Sequence, residues 1–96
     1  MEPADGARDV DPAIAVIRLV FDRPMKSGMA LMRADGTFPE GAGKPTWDAE
    51  GKVFNFPVRL KPGTAYRFGL NDEDVYGFQD RDGSPLRPMT VGFRTR

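Results

Sequence analysis

The sequence predicts an all-β chain, an antiparallel β-sandwich of about seven short strands, and three observations carry that prediction. Eleven glycines and nine prolines are spread through 96 residues, so few intervals are long enough for a helix. No interval between them shows an apolar period of 3.6, whereas several short runs alternate apolar and polar residues. Turn chemistry separates those runs at regular spacing, the pattern of a sandwich, with a small barrel as the rival.

The first run is the strongest. Ala15, Ile17, Leu19 and Phe21 alternate with Val16, Arg18 and Val20, which suits a core strand with one apolar and one mixed face. Pro24 and Gly28 break it, and "MALMR" offers a short strand before the Asp35-Gly36 turn. Residues 37–45 read as loop, with Pro39, Gly41, Gly43 and Pro45 crowded together. Trp47 opens "TWDAEGKVFNF", a hairpin with Glu50-Gly51 in its turn. Phe54, Phe56 and Val58 share a face of the next strand; Pro57, on the other parity, predicts an edge or a bulge rather than a central ladder position. Tyr66, Phe68 and Leu70 share a face of the following strand, and Val91, Phe93 and Thr95 close the chain.

In "LKPGTAYRFGL" a Pro-Gly turn precedes a lone tyrosine at the start of the penultimate strand. Immunoglobulin-like sandwiches place there a tyrosine whose ring packs in the core and whose hydroxyl returns to backbone a few residues upstream. The reading therefore assigns Leu60 to cap the core, Gly63 to the turn and Tyr66 to the corner. The fold expected is a single immunoglobulin-like or fibronectin-III-like sandwich with Greek-key connections, covering residues 1–96.

Composition excludes several functions. Fourteen acidic and fourteen basic side chains cancel, so no global field draws in nucleic acid. No window reaches the ~20 apolar residues of a membrane span, and "MEPADGARDV" lacks the basic and apolar regions of a signal peptide. Histidine and cysteine are both absent, which removes serine triads, thiol dyads, disulfides and the usual zinc sites. The remaining nucleophiles, Ser27 and Ser84, have no base placed by spacing; Lys26 is merely adjacent to Ser27. A non-enzyme without cofactor is expected.

Two constellations invite a binding reading. Asp72, Glu73, Asp74, Asp80 and Asp82 form an oxygen-rich stretch suited to calcium. Asp72, Asp74 and Gly77 even match positions 1, 3 and 6 of an EF-hand loop, but Tyr76 and Gly83 occupy ligand positions 5 and 12, so a solvated loop with a turn at Asp82-Gly83 is the expectation. Trp47, Tyr76 and Phe78 are the binding candidates, being the aromatics least explained by strand parity; a core or edge-capping place is the first expectation for Trp47, since a sandwich often buries one tryptophan, while Tyr76 and Phe78 make loop 71–83 a candidate surface for a protein or glycan ligand. The glycine turns in "ADGTF", "EGAGK" and "KPGTAY" lack phosphate-loop spacing.

The blocks "PADGARDVDP", "LVFDRPM", "TWDAEGKVFNF", "LKPGTAYRFGL", "DRDGSPL" and "GFRTR" together resemble the bacterial Ig-like domain family of the S-layer-protein type. The matching motifs are Pro3-x-x-Gly6-x-x-x-Val10, Phe21-x-x-Pro24-Met25, Asp80-x-x-Gly83 and Phe93-x-Thr95. The chain departs from the family pattern in Ser84, where asparagine is common, and in its more acidic and aromatic "NDEDVYGFQ". The resemblance implies a seven-stranded module cut from a larger secreted or cell-envelope bacterial protein, acting as a spacer or accessory beside neighbouring domains of the same chain.

Overall fold

A computed structural model describes residues 1–96. The chain has no helix and seven strands: β1 (Val16–Val20), β2 (Leu31–Arg33), β3 (Glu40–Gly41), β4 (Thr46–Trp47), β5 (Val53–Arg59), β6 (Ala65–Leu70) and β7 (Met89–Arg94). Two antiparallel sheets form. In one, β5 is central, with β1 on one side and β3 and β4 on the other; in the second the order is β2-β6-β7. Their inward faces share one core of Val10, Ile17, Leu19, Met25, Phe54, Phe56, Val58, Tyr66, Phe68, Leu70, Phe78, Val91 and Phe93. Rings bridge the sheets, Phe56 meeting Phe68 edge-on with centroids 6.5 Å apart.

Alternation explains this core directly. Ile17 and Leu19 are buried while Val16, Arg18 and Val20 face out, and Phe54, Phe56 and Val58 are buried while Val53, Asn55 and Pro57 are only partly so. Successive side chains of a strand point to opposite faces, so one register puts every large apolar residue of a strand inside.

Two expectations need correction. Residues 37–45 are not wholly loop, because Glu40 and Gly41 pair with Arg59 and Val58. Pro57 is not on an edge: it lies in β5, the central strand, opposite Val16. Its missing N–H is tolerated because β3 pairs residues 58 and 59 while β4 pairs 54 and 55, and the chain between them bulges away opposite Pro57. Only the Pro57 carbonyl is used there, accepting from Ala42 N at 3.0 Å.

The first ten residues, which carry no strand pattern, join both sheets. Glu2 exchanges backbone bonds with Arg18 of β1, at 2.9 and 2.8 Å. Residues 6–10 then run parallel to β7, with Gly6 N on Gly92 O, Arg94 N on Ala7 O and Val10 N on Arg94 O. This covers the outer edge of β7 from Gly92 to Arg94.

Candidate functional site

The loops 21–30, 48–52 and 71–88 leave the same end of the sandwich, and all the residues singled out for binding lie there. Its base is aromatic. Phe78 is fully buried, edge-on to Phe54 at 5.3 Å and 5.7 Å from Phe21. Trp47, half-buried, covers that group at 5.1 Å from Phe54 and 5.5 Å from Phe21. Phe78 is therefore withdrawn as a contact residue. It extends the core beneath the long loop, for which strand parity gives no signal because the residue sits outside any strand.

Asn71 holds Phe78 in place. It is 3% exposed, and its side-chain amide donates to Phe78 O and Leu86 O while its side-chain oxygen accepts from Phe78 N, all at 2.9 Å. It also sits at φ +60°, a backbone region that asparagine enters more readily than most residues. Sequence reasoning passed over it; the signal was an asparagine directly after a strand, where a reversal is needed.

Around this base, aspartates close two turns of related design. Asp48 Oδ1 accepts from Lys52 N and Val53 N, at 2.8 and 3.1 Å, and Asp48 O accepts from Gly51 N. Asp80 Oδ1 accepts from Ser84 N and Asp82 N, at 2.9 and 3.0 Å, and Asp80 O accepts from Gly83 N. Both Asp-x-x-Gly stretches put glycine at positive φ, +73° for Gly51 and +88° for Gly83. The two turns are joined through the segment after β1: Met25 N bonds Gly51 O, Lys26 N bonds Gln79 O, and Arg81 reaches Glu50 O at 3.2 Å.

These bonds set the electrostatics. Donation from the Val53 N–H, with further help from Lys52 and Gly51, holds the Asp48 carboxyl below its usual range. Donation from Ser84 N–H does the same for Asp80, helped by Asp82 N–H and by Arg23, whose guanidinium lies 3.5 Å from Oδ2. Burial opposes the shift in both, and the backbone donors win.

The calcium candidates are not brought together. Asp72 Oδ1 accepts from Asp74 N and Val75 N, closing a turn of its own, while Asp80 serves the 80–84 turn. No group of three or more carboxylates gathers within reach of one ion, so Asp72, Asp74, Asp80 and Asp82 do not form a cation cage. Adjacency in sequence does not become proximity in space because Asp72 and Asp80 are spent on separate turns. Of the three aromatics only Tyr76 is well exposed, at 37%, next to Val75 at 44%.

At the opposite end Tyr66 is 2% exposed, and its hydroxyl accepts from Lys61 N at 2.7 Å, five residues upstream. Thr95, 1% exposed, donates to Lys61 O at 2.5 Å and accepts from Thr64 N at 2.9 Å. The backbone N–H and C=O of Lys61 are thus both held by side chains, one from β6 and one from the residue after β7. Leu60 packs on the core and Gly63 takes φ +60°, so both lie where the turn needs them. No family model, curated protein or solved structure matches the chain.

Proposed function

We propose that this chain is a non-catalytic immunoglobulin-like module of the bacterial S-layer-protein type, serving as a spacer or accessory part of a larger secreted or cell-envelope protein. The observation that carries this reading is the Tyr66 hydroxyl on Lys61 N, at the entry to the penultimate strand of a two-sheet fold. The strand order supports it. A sheet of β1, β5 and β3/β4 against a sheet of β2, β6 and β7 is compatible with Greek-key immunoglobulin connections, in which residues 1–10 would take the place of the first strand.

The resembling motifs also coincide with joints of the fold. Gly6 and Val10 pair with β7 and its continuation, Met25 is buried against the Asp80 turn, and Phe93 and Thr95 complete the core end. Glu2 pairs midway along β1 whereas Arg96 bonds Val10 and Gly63 at the corner end, an arrangement suited to linking modules in series. The test is a replacement in the parent chain: an unrelated sandwich of matched length in place of residues 1–96 is expected to preserve the parent's activity. Loss of that activity would overturn the spacer role.

One observation favours a second reading, a ligand-binding adhesion module using loop 71–83. Val75 and Tyr76 stay exposed on a turn carrying Asp72, Glu73 and Asp74, none of them in an ion pair. With Phe78 in the core, this surface rests on Tyr76. A pull-down with saturable binding abolished by Tyr76→Ala would establish it, and unchanged capture by that variant would remove it.

A further inference from the structure

We propose that the outer face of β6 and β7 is a binding trough for an anionic polysaccharide, read through Arg8, Arg67 and Arg94. The register of the two strands creates it. Arg67 lies opposite Gly92, and Arg94 lies opposite Ala65, so each long cationic side chain faces one of the two smallest residues. A methyl group on Gly92 would sit 2.8 Å from Arg67 Cγ, so the Arg67 stem lies across that glycine. Residues 5–8 form the other wall and contribute Arg8, leaving an open trough of about 520 Å³.

The charges in this trough are unanswered. None of the five ion pairs in the molecule uses Arg8, Arg67 or Arg94, and all three side chains are exposed. One carboxylate is present, Asp5, and its Oδ1 accepts the Gly92 N–H at 2.9 Å. Three guanidiniums over a floor of glycine and alanine suit carboxylate or sulfate groups, whose oxygens match the planar donor fork. In a water-filled trough each such pair is weak, so a ligand must carry several anions along one chain to be held.

The trough also discriminates between polymers. An acidic peptide docks through a free sheet edge or an apolar anchor, but beside the arginines β7 is paired on both sides, from Gly92 to Arg94, and the side chains on the trough floor are Ala65, Arg67, Thr90 and Arg94, with the exposed Met89 at the far end of the strand. A nucleic acid strand needs rings to stack on, and Tyr66 and Phe93 turn inward at 2% and 4% exposure. A polyanionic glycan needs neither.

The test is calorimetric titration of the 96-residue chain at low salt with polygalacturonate, dextran sulfate, neutral dextran and poly-L-glutamate. Saturable binding of the first two and not of neutral dextran is expected, weakening as salt screens the charges. Arg67→Gln with Arg94→Gln should lower affinity by about tenfold or more at unchanged melting temperature. Arg59→Gln with Arg87→Gln, equal in charge and outside the trough, should leave it intact. Absence of binding, or equal loss in both pairs of variants, would overturn the proposal. Poly-L-glutamate bound as tightly as polygalacturonate would overturn the glycan class in favour of an acidic peptide.

Discussion

Where β5 turns into β6, the hydroxyls of Tyr66 and Thr95 hold the two sides of the Lys61 peptide; at the other end, the carboxylates of Asp48 and Asp80 hold their turns through backbone N–H groups. The corner uses neutral groups that are 2% and 1% exposed and projected from strands, so its geometry follows from the core. The loop end uses charged groups on the turns themselves and one buried ring beneath. Both ends satisfy turn backbone with side chains, but only the second does so with carboxylates. The Lys61 turn is thus closed without a carboxylate, whereas the Asp48 and Asp80 turns depend on one each.

The largest effect that would break this comparison lies under the loops. Phe78→Ala should cost about 3–5 kcal/mol in denaturant unfolding, since it empties a fully buried ring site between Phe21, Phe54 and Trp47. A cost under about 1 kcal/mol would mean that the long loop is not seated on the core.

At the corner, Tyr66→Phe strands the Lys61 N–H and Thr95→Val strands its carbonyl, each at about 1–3 kcal/mol. Because both act on the backbone of one residue, Lys61, the double variant should lose less than the sum of the singles. Strict additivity would show that the two hydroxyls close the turn independently.

The acid response separates the ends. The Asp48 and Asp80 carboxyls are depressed in the folded chain, so the stability they contribute is present above the unfolded value of about 4 and is lost as pH falls through the lower folded values. Asp80→Asn should therefore destabilise at neutral pH and flatten the loss of stability below the unfolded carboxylate value, whereas Tyr66→Phe should leave the shape of that profile unchanged. Parallel curves for Asp80→Asn and the parent would refute the assignment. The smallest effect belongs to Tyr76→Ala, within about 0.5 kcal/mol in a thermal melt, because the ring is exposed and makes no ring contact with the core.

Strand by strand, the alternation Ile17, Leu19; Phe54, Phe56, Val58; Tyr66, Phe68, Leu70; Val91, Phe93 was readable because burial of one face writes a period of two into the chain. The candidate binding site was read less well. Phe78 looked spare because it sits in a loop, where no periodicity tells a ring covering the core from one facing water, whereas a core-capping place for Trp47 was the favoured reading. The failed EF-hand spacing already favoured a solvated loop over a metal cage, but sequence shows how near carboxylates are along the chain and not which turn each one closes.

What the amino-acid order determined alone is whatever depends on near neighbours: strand faces, glycine turns, and the exclusion of histidine and cysteine chemistry. Tertiary structure decided what depends on distant partners. The passage of residues 1–10 from Arg18 to β7, the bulge opposite Pro57, the Asn71 clamp on Phe78 and the facing of Arg67 by Gly92 all join residues at least seven positions apart, most of them far more. Such pairings are chosen by packing two sheets against one core, a constraint with no local signature along the chain.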